Sequence, residues 1–397
     1  FSFQKIFFIR VGFIHNQRIG HFAGNLEVYL TRKKYLEEKK EKRKSLDIFY
    51  SPETKFFNYY HRKTCNTELE KLWKKKLIVL PRTLVRPVCL LVRFLKLTYL
   101  HCGSEFEDRD SLNLFDIYEP SLKFSEEQIL YGEKEKELLG IPKGKKFICL
   151  IVRDELFLET IYKNPDKNEL SKHKFRNTNL QNYISACEFL TTKGYYVLRM
   201  GVHAKDKIKT DNKMIIDYAY LQKNKRTEFM DIYLGANCEF CISSMLGFDA
   251  IPYIFRKPIL FINGLPIAWY WTFSKKFFIL PRNLFSIKLN RNLKLKEILN
   301  NDIGYVYNSK IFNDNNIIPH ESTKEEILEA VKEMLYHLKN NFNNILDGKS
   351  NEEKYWKIFS RLVNKRKNDT DNPIYLHGII KSKISNSFLK NNPDYLK

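Results

Sequence analysis

Two hydroxyls and a glycine, Ser243, Ser244 and Gly247, follow directly on the apolar run Phe240–Ile242 in the stretch Cys241-Ile-Ser-Ser-Met-Leu-Gly-Phe-Asp249. A buried strand that empties into small hydroxyl residues at a helix start can offer O–H and backbone N–H donors to a diphosphate. Helix capping accounts for one serine, but not for the cluster. A second group, Arg18, Gly20, His21, Gly24 and Asn25, follows the aromatic and β-branched run Lys5–Phe13. Its glycines admit a ligand close to the backbone, and the helix after it offers free N–H groups to an anion. Imidazole titrates near neutrality, so His21 could act as a general base; a bond to a nearby carbonyl is the structural alternative. Arg153 and Asp154 stand where the continuous apolar run KFICLIV ends. Arginine at the carboxyl end of a strand suits bidentate recognition of phosphate or carboxylate, although Asp154 could equally neutralise it. Arg199 and Gly201 repeat the theme one crossover later. Because Arg199 falls within its strand, it must either reach a cleft or pair with a carboxylate.

The elements that must hold these residues alternate between strand and helix, the pattern of parallel sheets with crossover helices. Strands are expected at Lys5–Phe13, Asp47–Tyr50, Leu77–Leu80, Lys146–Val152, Tyr195–Met200, Ile215–Ile216, Phe240–Ile242 and Pro258–Ile262. Helices are expected at Asn25–Lys44, from Ser125 as cap to Leu139, at Asn179–Lys193, from Thr227 as cap to Ala236, and at Glu325–Leu346. In open sheets of this kind ligands sit at the carboxyl ends of strands, where the residues above are found. Charged, turn-rich sequence from His101 to Lys123 marks a linker. The expected organisation is an N-terminal Rossmann-like unit over 1–110, a connecting segment over 111–144, a C-terminal unit over 145–370, and a closing segment over 371–397 that packs back on the N-terminal unit.

A chain of 397 residues with 43% hydrophobic content has enough material for two cores. Its net charge of +22 attracts polyanions of any kind. No nucleic-acid module accompanies that charge and the aromatics read as core, so nucleic acid is not an expected partner. Seven scattered cysteines point to a reducing compartment, and the lone Cys238-x-x-Cys241 reads as buried core. The triplets Asp108-Arg-Asp110 and Asp369-Thr-Asp371 follow no strand and read as solvated loops, so no bound metal is expected. Walker A, GxSxG and HExxH sequences are absent, which removes several hydrolase classes. No uncharged apolar run is long enough to span a bilayer. Leu77–Leu100, with Arg82, Arg86, Arg93 and Lys96, reads as a basic amphipathic segment that could lie on an anionic membrane surface, or as an ordinary helix with a solvated basic face. The run Arg32–Lys44 reads as a solvated helix.

Four stretches carry a family resemblance: RIGHFAGNLEVYL (Arg18–Leu30), FICLIVRDE (Phe147–Glu155), FRNTNLQNYISACEFLTTKGYYVLRMG (Phe175–Gly201), and DYAYLQKNKRTEFMDIYLGANCEFCISSMLGFDAIPYIFRKPILFIN (Asp217–Asn263). Together they resemble a poorly characterised family of bacterial glycosyltransferases encoded in surface-polysaccharide gene clusters, and the likeness extends to Ser385–Leu389. The resemblance implies a GT-B-like α/β fold: two Rossmann-like domains whose parallel sheets face a central cleft. A nucleotide-sugar would sit mainly on the C-terminal side, and a glycan or lipid-linked acceptor on the N-terminal side. It further implies metal-independent transfer with no cofactor beyond the donor. The placement expected is cytoplasmic, with the basic segment Leu77–Leu100 as the one feature that would attach the chain peripherally to the inner face of the plasma membrane. By position it marks Arg18, Gly20, His21 and Asn25 as the N-terminal cleft loop, Arg153, Asp154, Arg176, Asn177, Arg199 and Gly201 as the opposite wall, and Ser243, Ser244 and Gly247 as facing the diphosphate. His21 and Asp154 are the catalytic candidates, and Asn25, Arg176 and Asn177 the substrate-binding ones. Where such proteins carry a hydroxyl or aromatic residue near Leu156, this chain has Leu-Phe-Leu, a departure that bears on the acceptor.

Two other classes compete. A sugar-nucleotide epimerase shares the architecture, but it needs clustered carboxylates and histidines, whereas the candidates here are mostly basic. A non-enzymatic polyanion binder would explain the charge alone, with strongly salt-dependent binding indifferent to Ser244→Ala.

Overall fold

The computed structural model describes residues 8–40, 44–51, 64–102, 109–153, 156, 173–202, 204–221, 226–301, 303–306, 308–343, 349–365 and 377–397. The first unit is built from strand β1 (Phe8–Phe13), helix α1 (Ile19–Glu38), β2 (Ser45–Tyr50), α2 (Thr67–Lys74), β3 (Ile78–Val79) and α3 (Arg82–Phe94). Its strands run parallel in the order β1-β2-β3. Alternation along a strand sends Arg10 and Asp47, which pair across the register, to the α1 face. There the Arg10 guanidinium meets the Asp47 carboxylate at 2.7 Å and Lys33 reaches the same carboxylate at 2.6 Å. Burial alone would raise the pKa of Asp47, but bonds from Arg10, Lys33 and Tyr29 hold it at about 2. On the other face Val11 and Tyr50 pack against Val85, Cys89 and Val92 of α3.

Helix α1 begins at Ile19, so Gly20, His21, Gly24 and Asn25 occupy its first two turns instead of a loop. Gly20, one of the glycines that suggested a loop, serves close packing, as the contact with the second unit shows below. The run Arg32–Lys44 is only partly helical, because α1 ends at Glu38. Helix α3 starts five residues ahead of Pro87, at Arg82, and carries the proline on its exposed side.

A capping box between Ser125 and Gln128 opens α4 (Glu126–Leu138), as the sequence predicts for Ser125. The second unit then runs through β4 (Phe147–Ile151), α5 (Ile184–Thr192), β5 (Tyr196–Arg199), β6 (Ile215–Ile216), α6 (Glu228–Asn237) and β7 (Cys241–Ser243). It continues through α7 (Ala250–Ile254), β8 (Ile259–Ile262) and β9 (Phe277–Leu280). Thr227 caps α6 through its hydroxyl, which accepts from the Met230 N–H at 3.1 Å. A small antiparallel sheet, β10 (Leu284–Ser286), β11 (Arg291–Asn292) and β12 (Ile317–Pro319), is joined by α8 (Leu295–Asn300) and α9 (Ser309–Asp314). Helices α10 (Lys324–Lys339) and α11 (Lys349–Lys365) follow, then β13 (Lys383–Ile384) and α12 (Asn386–Asn391). The predicted Glu325–Leu346 helix stops early because Asn341 and Phe342 adopt left-handed φ values of 50° and 58°.

The large sheet has the order β13-β9-β8-β7-β4-β5-β6, with every pair parallel. Two Rossmann-like units are therefore present, the fold class expected from the sequence. Among the described residues of the closing segment, β13 pairs with β9 at the edge of the large sheet, and the Glu333 carboxylate accepts from the backbone N–H groups of Asn386 and Ser387, both at 2.8 Å. Of the DxD triplets, 369–371 and Asp108 lie outside the described residues. Asp110 is buried, not solvated, because its carboxylate accepts from the Phe115 N–H at 2.6 Å and so ties up the linker turn. Arg109 beside it is buried too, donating to the Trp269 and Tyr270 carbonyls. None of the seven cysteines forms a disulfide, and Cys238 and Cys241 are fully buried in the large core.

Candidate active site

The strand order places a topological switch between β4 and β7, because the chain leaves β4 toward β5 and returns to β7 on its other side. Crevices at such a point, beyond the carboxyl ends of the strands, are where open α/β sheets bind ligands. Arg153 follows β4 here, and Ser243 ends β7 with Ser244 just past it. The two strand ends are stitched together: the Ser244 N–H donates to the Ile151 carbonyl at 3.2 Å, and the Arg153 N–H donates to the Ser244 hydroxyl at 2.8 Å.

The turn after β7 is held from within. Ser243 donates to the Asp249 carboxylate and accepts from the Met245 N–H at 3.0 Å, while the Leu246 N–H donates to the other Asp249 oxygen at 2.8 Å. Met245 takes a left-handed φ of 59° to close this loop. Both serines are buried, and the bonds of their hydroxyls shape the turn. What the turn presents outward is the start of a helix, with Gly247 exposed at the head of a 3-10 turn, Gly247–Asp249, that runs straight into α7. Complete burial pushes the Asp249 carboxyl up to about 7, against the opposing pull of its bonds to Ser243 and Leu246 and of the Arg176 charge. At neutral pH the carboxyl is therefore about half protonated, and only at lower pH does the turn carry little negative charge. Arg176 comes to the same turn from a short 3-10 segment, its guanidinium donating to the Met245 carbonyl at 2.7 Å. Asn177 is half-buried directly after it, next to Thr178, whose N–H bonds the Arg153 carbonyl at 3.3 Å.

The first unit meets this turn through Gly20. A methyl group placed there would sit 3.0 Å from the Gly247 Cα and 3.2 Å from its carbonyl oxygen, so the two backbones touch with no room for a side chain. Helix α1 thus points its N-terminus at the switch-point turn. Arg18 is its exposed N-cap, and the first turn carries no side-chain cap bond and no acidic residue. A helix start left this way keeps a partial positive charge and N–H donors for an anion. His21 is exposed on that first turn, its ring centroid 6.1 Å from that of His15. Asn25 lies one turn further in and is buried.

The structure therefore gathers Gly20, Arg153, Arg176, Ser243, Ser244 and Gly247 around one turn, with Arg18 and His21 on the helix end that abuts it. Arg199 is not part of this group. It is buried, donates to the Asp206 carbonyl at 2.5 Å, and lies 3.4 Å from the Asp217 carboxylate, which resolves the alternative in favour of a carboxylate pair. Gly201 is half-buried just past β5. Asp154 lies outside the described residues.

Residues that sequence reasoning missed lock the two units together. Glu27 of α1, fully buried, accepts from the Arg256 guanidinium at 2.6 Å and from the Ser121 N–H at 3.0 Å. Arg256 also lies 3.8 Å above the Phe115 ring and donates to the Tyr118 carbonyl at 3.0 Å. Asp249 was missed as well, although an acid at the third position of a helix start after a serine cluster is a legible capping signal.

A cavity of about 460 Å³ opens elsewhere, lined by residues including Thr67, Glu68, Glu127, Thr227 and Glu228. No candidate residue borders it, and its three glutamates would repel a diphosphate. On chemical grounds the switch-point turn is the better candidate. Among the described residues no group of three or more histidine, cysteine or acidic side chains is placed to hold a metal ion.

No protein-family model matches the chain, and no curated protein matches it. Among solved structures it is similar to the ADP-heptose LPS heptosyltransferase II of E. coli, with 13% identity, 83% of this chain and 100% of that one covered, and a TM-score of 0.39. It is also similar to a glycosyl transferase of family 9 from Veillonella parvula DSM 2008, with 9% identity, 84% and 98% covered, and a TM-score of 0.42. Likeness this remote carries no argument about chemistry, and the site is read from its own residues.

Proposed function

We propose that this chain is a glycosyltransferase that moves a sugar from a nucleotide-sugar to a glycan or lipid-linked acceptor in bacterial surface-polysaccharide synthesis. One observation carries the reading. The uncapped N-terminus of α1 and the helix start at Gly247 meet at the switch point of the large sheet, with the Arg176 guanidinium and the backbone of Arg153 beside them. Two positive helix ends and a guanidinium group can stabilise the charge of a diphosphate leaving group without a metal ion.

In this mechanism an acceptor hydroxyl oxygen attacks the anomeric carbon as the bond from that carbon to the diphosphate oxygen breaks. His21, exposed at the α1 end, takes the hydroxyl proton. The departing nucleoside diphosphate keeps the electron pair of the broken bond, and its charge develops against Arg153, Arg176 and the two helix starts. Arg18 adds charge from the N-terminal side. Arg199, paired with Asp217, braces the wall carrying Gly201.

Thermal-shift screening with UDP-, GDP-, CMP- and ADP-sugars tests this. One class of donor should raise the melting temperature, since a ligand that binds only the folded state at a hundred times its Kd adds about 2.7 kcal/mol. His21→Ala should keep the shift and lose turnover. Absence of a shift with every donor would remove the proposal, and full activity in His21→Ala would place the base elsewhere.

A further inference from the structure

Helix α1 and the segment Gly247–Arg256 lie side by side and run the same way. Gly20 meets Gly247 at one end, and about 10 Å further along α1 the Glu27 carboxylate meets the Arg256 guanidinium at 2.6 Å. Between those points α1 packs against α7, and Phe22, Ala23 and Leu26 of the one and Ile251 and Ile254 of the other are buried. Parallel neighbours of this kind bring two like helix ends together, each with about half a positive charge, so electrostatics opposes the contact at Gly20.

The rear of the pair holds it. Arg256 stands just past α7 with a left-handed φ of 60°, its N–H on the Tyr253 carbonyl at 2.9 Å and the Lys257 N–H on the Pro252 carbonyl at 2.8 Å. Glycine is the usual occupant of that position, and an arginine there bears a steric cost that its side-chain bonds must offset. Besides Glu27, the guanidinium donates to the carbonyls of Tyr118 at 3.0 Å, Glu119 at 3.2 Å and Ile254 at 2.5 Å. Glu27 in turn accepts from the Ser121 N–H at 3.0 Å. One side chain thus joins α1, the end of α7 and the connecting segment. The Glu27 side chain is fully buried and that of Arg256 only 9% exposed. A buried ion pair gains little stability over apolar residues of its size, and its best-attested use is to fix register. Apolar packing tolerates sliding of one helix along another; directional bonds do not. We propose that Arg256, acting through Glu27, is a positioning residue: it sets the alignment of α1 along α7 and so keeps the two helix starts together at Gly20 and Gly247. This rests on the reading of that turn as the diphosphate site.

Titration calorimetry with UDP, GDP, CMP and ADP tests it on the parent, on Arg256→Lys, and on Glu27→Gln with Arg256→Met. The double variant removes both charges at similar volume and should melt well above the titration temperature. The nucleotide that binds the parent should bind this folded variant about tenfold or more weaker, because a displacement of about 1 Å suffices for such a loss. Arg256→Lys keeps a charge on Glu27 but cannot span the Tyr118 and Glu119 carbonyls, and should fall between. Adding Gly20→Ala, which parts the helix starts directly, should cost the double variant little further affinity, whereas independent effects would add. A folded double variant with the parent's affinity would overturn the proposal and leave the site reading intact, and so would full additivity with Gly20→Ala. If the double variant does not fold, parental affinity in Arg256→Lys overturns it. Binding of none of the four nucleotides by the parent would overturn both readings.

Discussion

Replacing Asp249 by asparagine separates two demands on the switch-point turn. The amide oxygen can accept one of the two bonds that the carboxyl accepts, from the Ser243 hydroxyl or from the Leu246 N–H, but the amide cannot ionise. In the parent, burial sets the carboxyl at about 7 in the folded state against 3.8 ordinarily. Between those values the folded protein holds a proton that the unfolded chain has released. Stability is therefore fully present below the ordinary value and falls as pH rises through about 7. The whole shift corresponds to about 4 kcal/mol, of which about 2–3 kcal/mol is lost between pH 5 and pH 8. Urea unfolding of parent and Asp249→Asn at those two pH values should show the variant gaining that amount on the parent as pH rises. The donor-induced thermal shift should weaken in the parent at pH 8, where an ionised Asp249 opposes the diphosphate, and persist in the variant. Parallel stability curves would refute the reasoning, since they would mean that Arg176 and the N–H bonds keep the carboxylate ionised throughout.

Gly20→Ala gains helix propensity of about 1 kcal/mol but forces backbone against backbone at Gly247, where no side chain can yield. Thermal unfolding should show a net loss of about 1–2 kcal/mol together with weaker donor binding; a stabilised variant with unchanged binding would mean the units do not meet there. Arg256→Met leaves the buried Glu27 carboxylate without its cation and should cost about 3–5 kcal/mol in chemical unfolding, part of it restored by adding Glu27→Gln. A loss below about 1 kcal/mol would show that this pair does not lock the units.

The parts of the fold written in local pattern were legible. The apolar runs of β4, β5, β7 and β8 are buried on both faces of a parallel sheet and read as strands, and the caps Ser125 and Thr227 sit where their hydroxyls predict. What depended on distant partners was not legible. Gly20 looks like part of a loop until the backbone of Gly247, over two hundred residues away, supplies the reason for a helix start without a side chain. The pairing of Glu27 with Arg256 has no sequence signal at all. Arg199 could have served a cleft or a carboxylate, and only the position of Asp217 in the folded chain decides. The serines after β7 were found, but their hydroxyls turn inward to Asp249 and the Arg153 N–H, which is a matter of loop conformation and not of residue type. The closing segment joined the large sheet through a strand of two residues, too short to read.

Calorimetric titration of UDP, GDP, CMP and ADP into the protein and into Arg176→Ala bears most directly on whether the switch-point turn holds a nucleotide. One of the four nucleotides should bind the parent, and removal of the guanidinium beside Met245 should weaken it about tenfold or more. No binding heat with any of the four, or equal affinity in the variant, would contradict a diphosphate site at the meeting of Gly20 and Gly247.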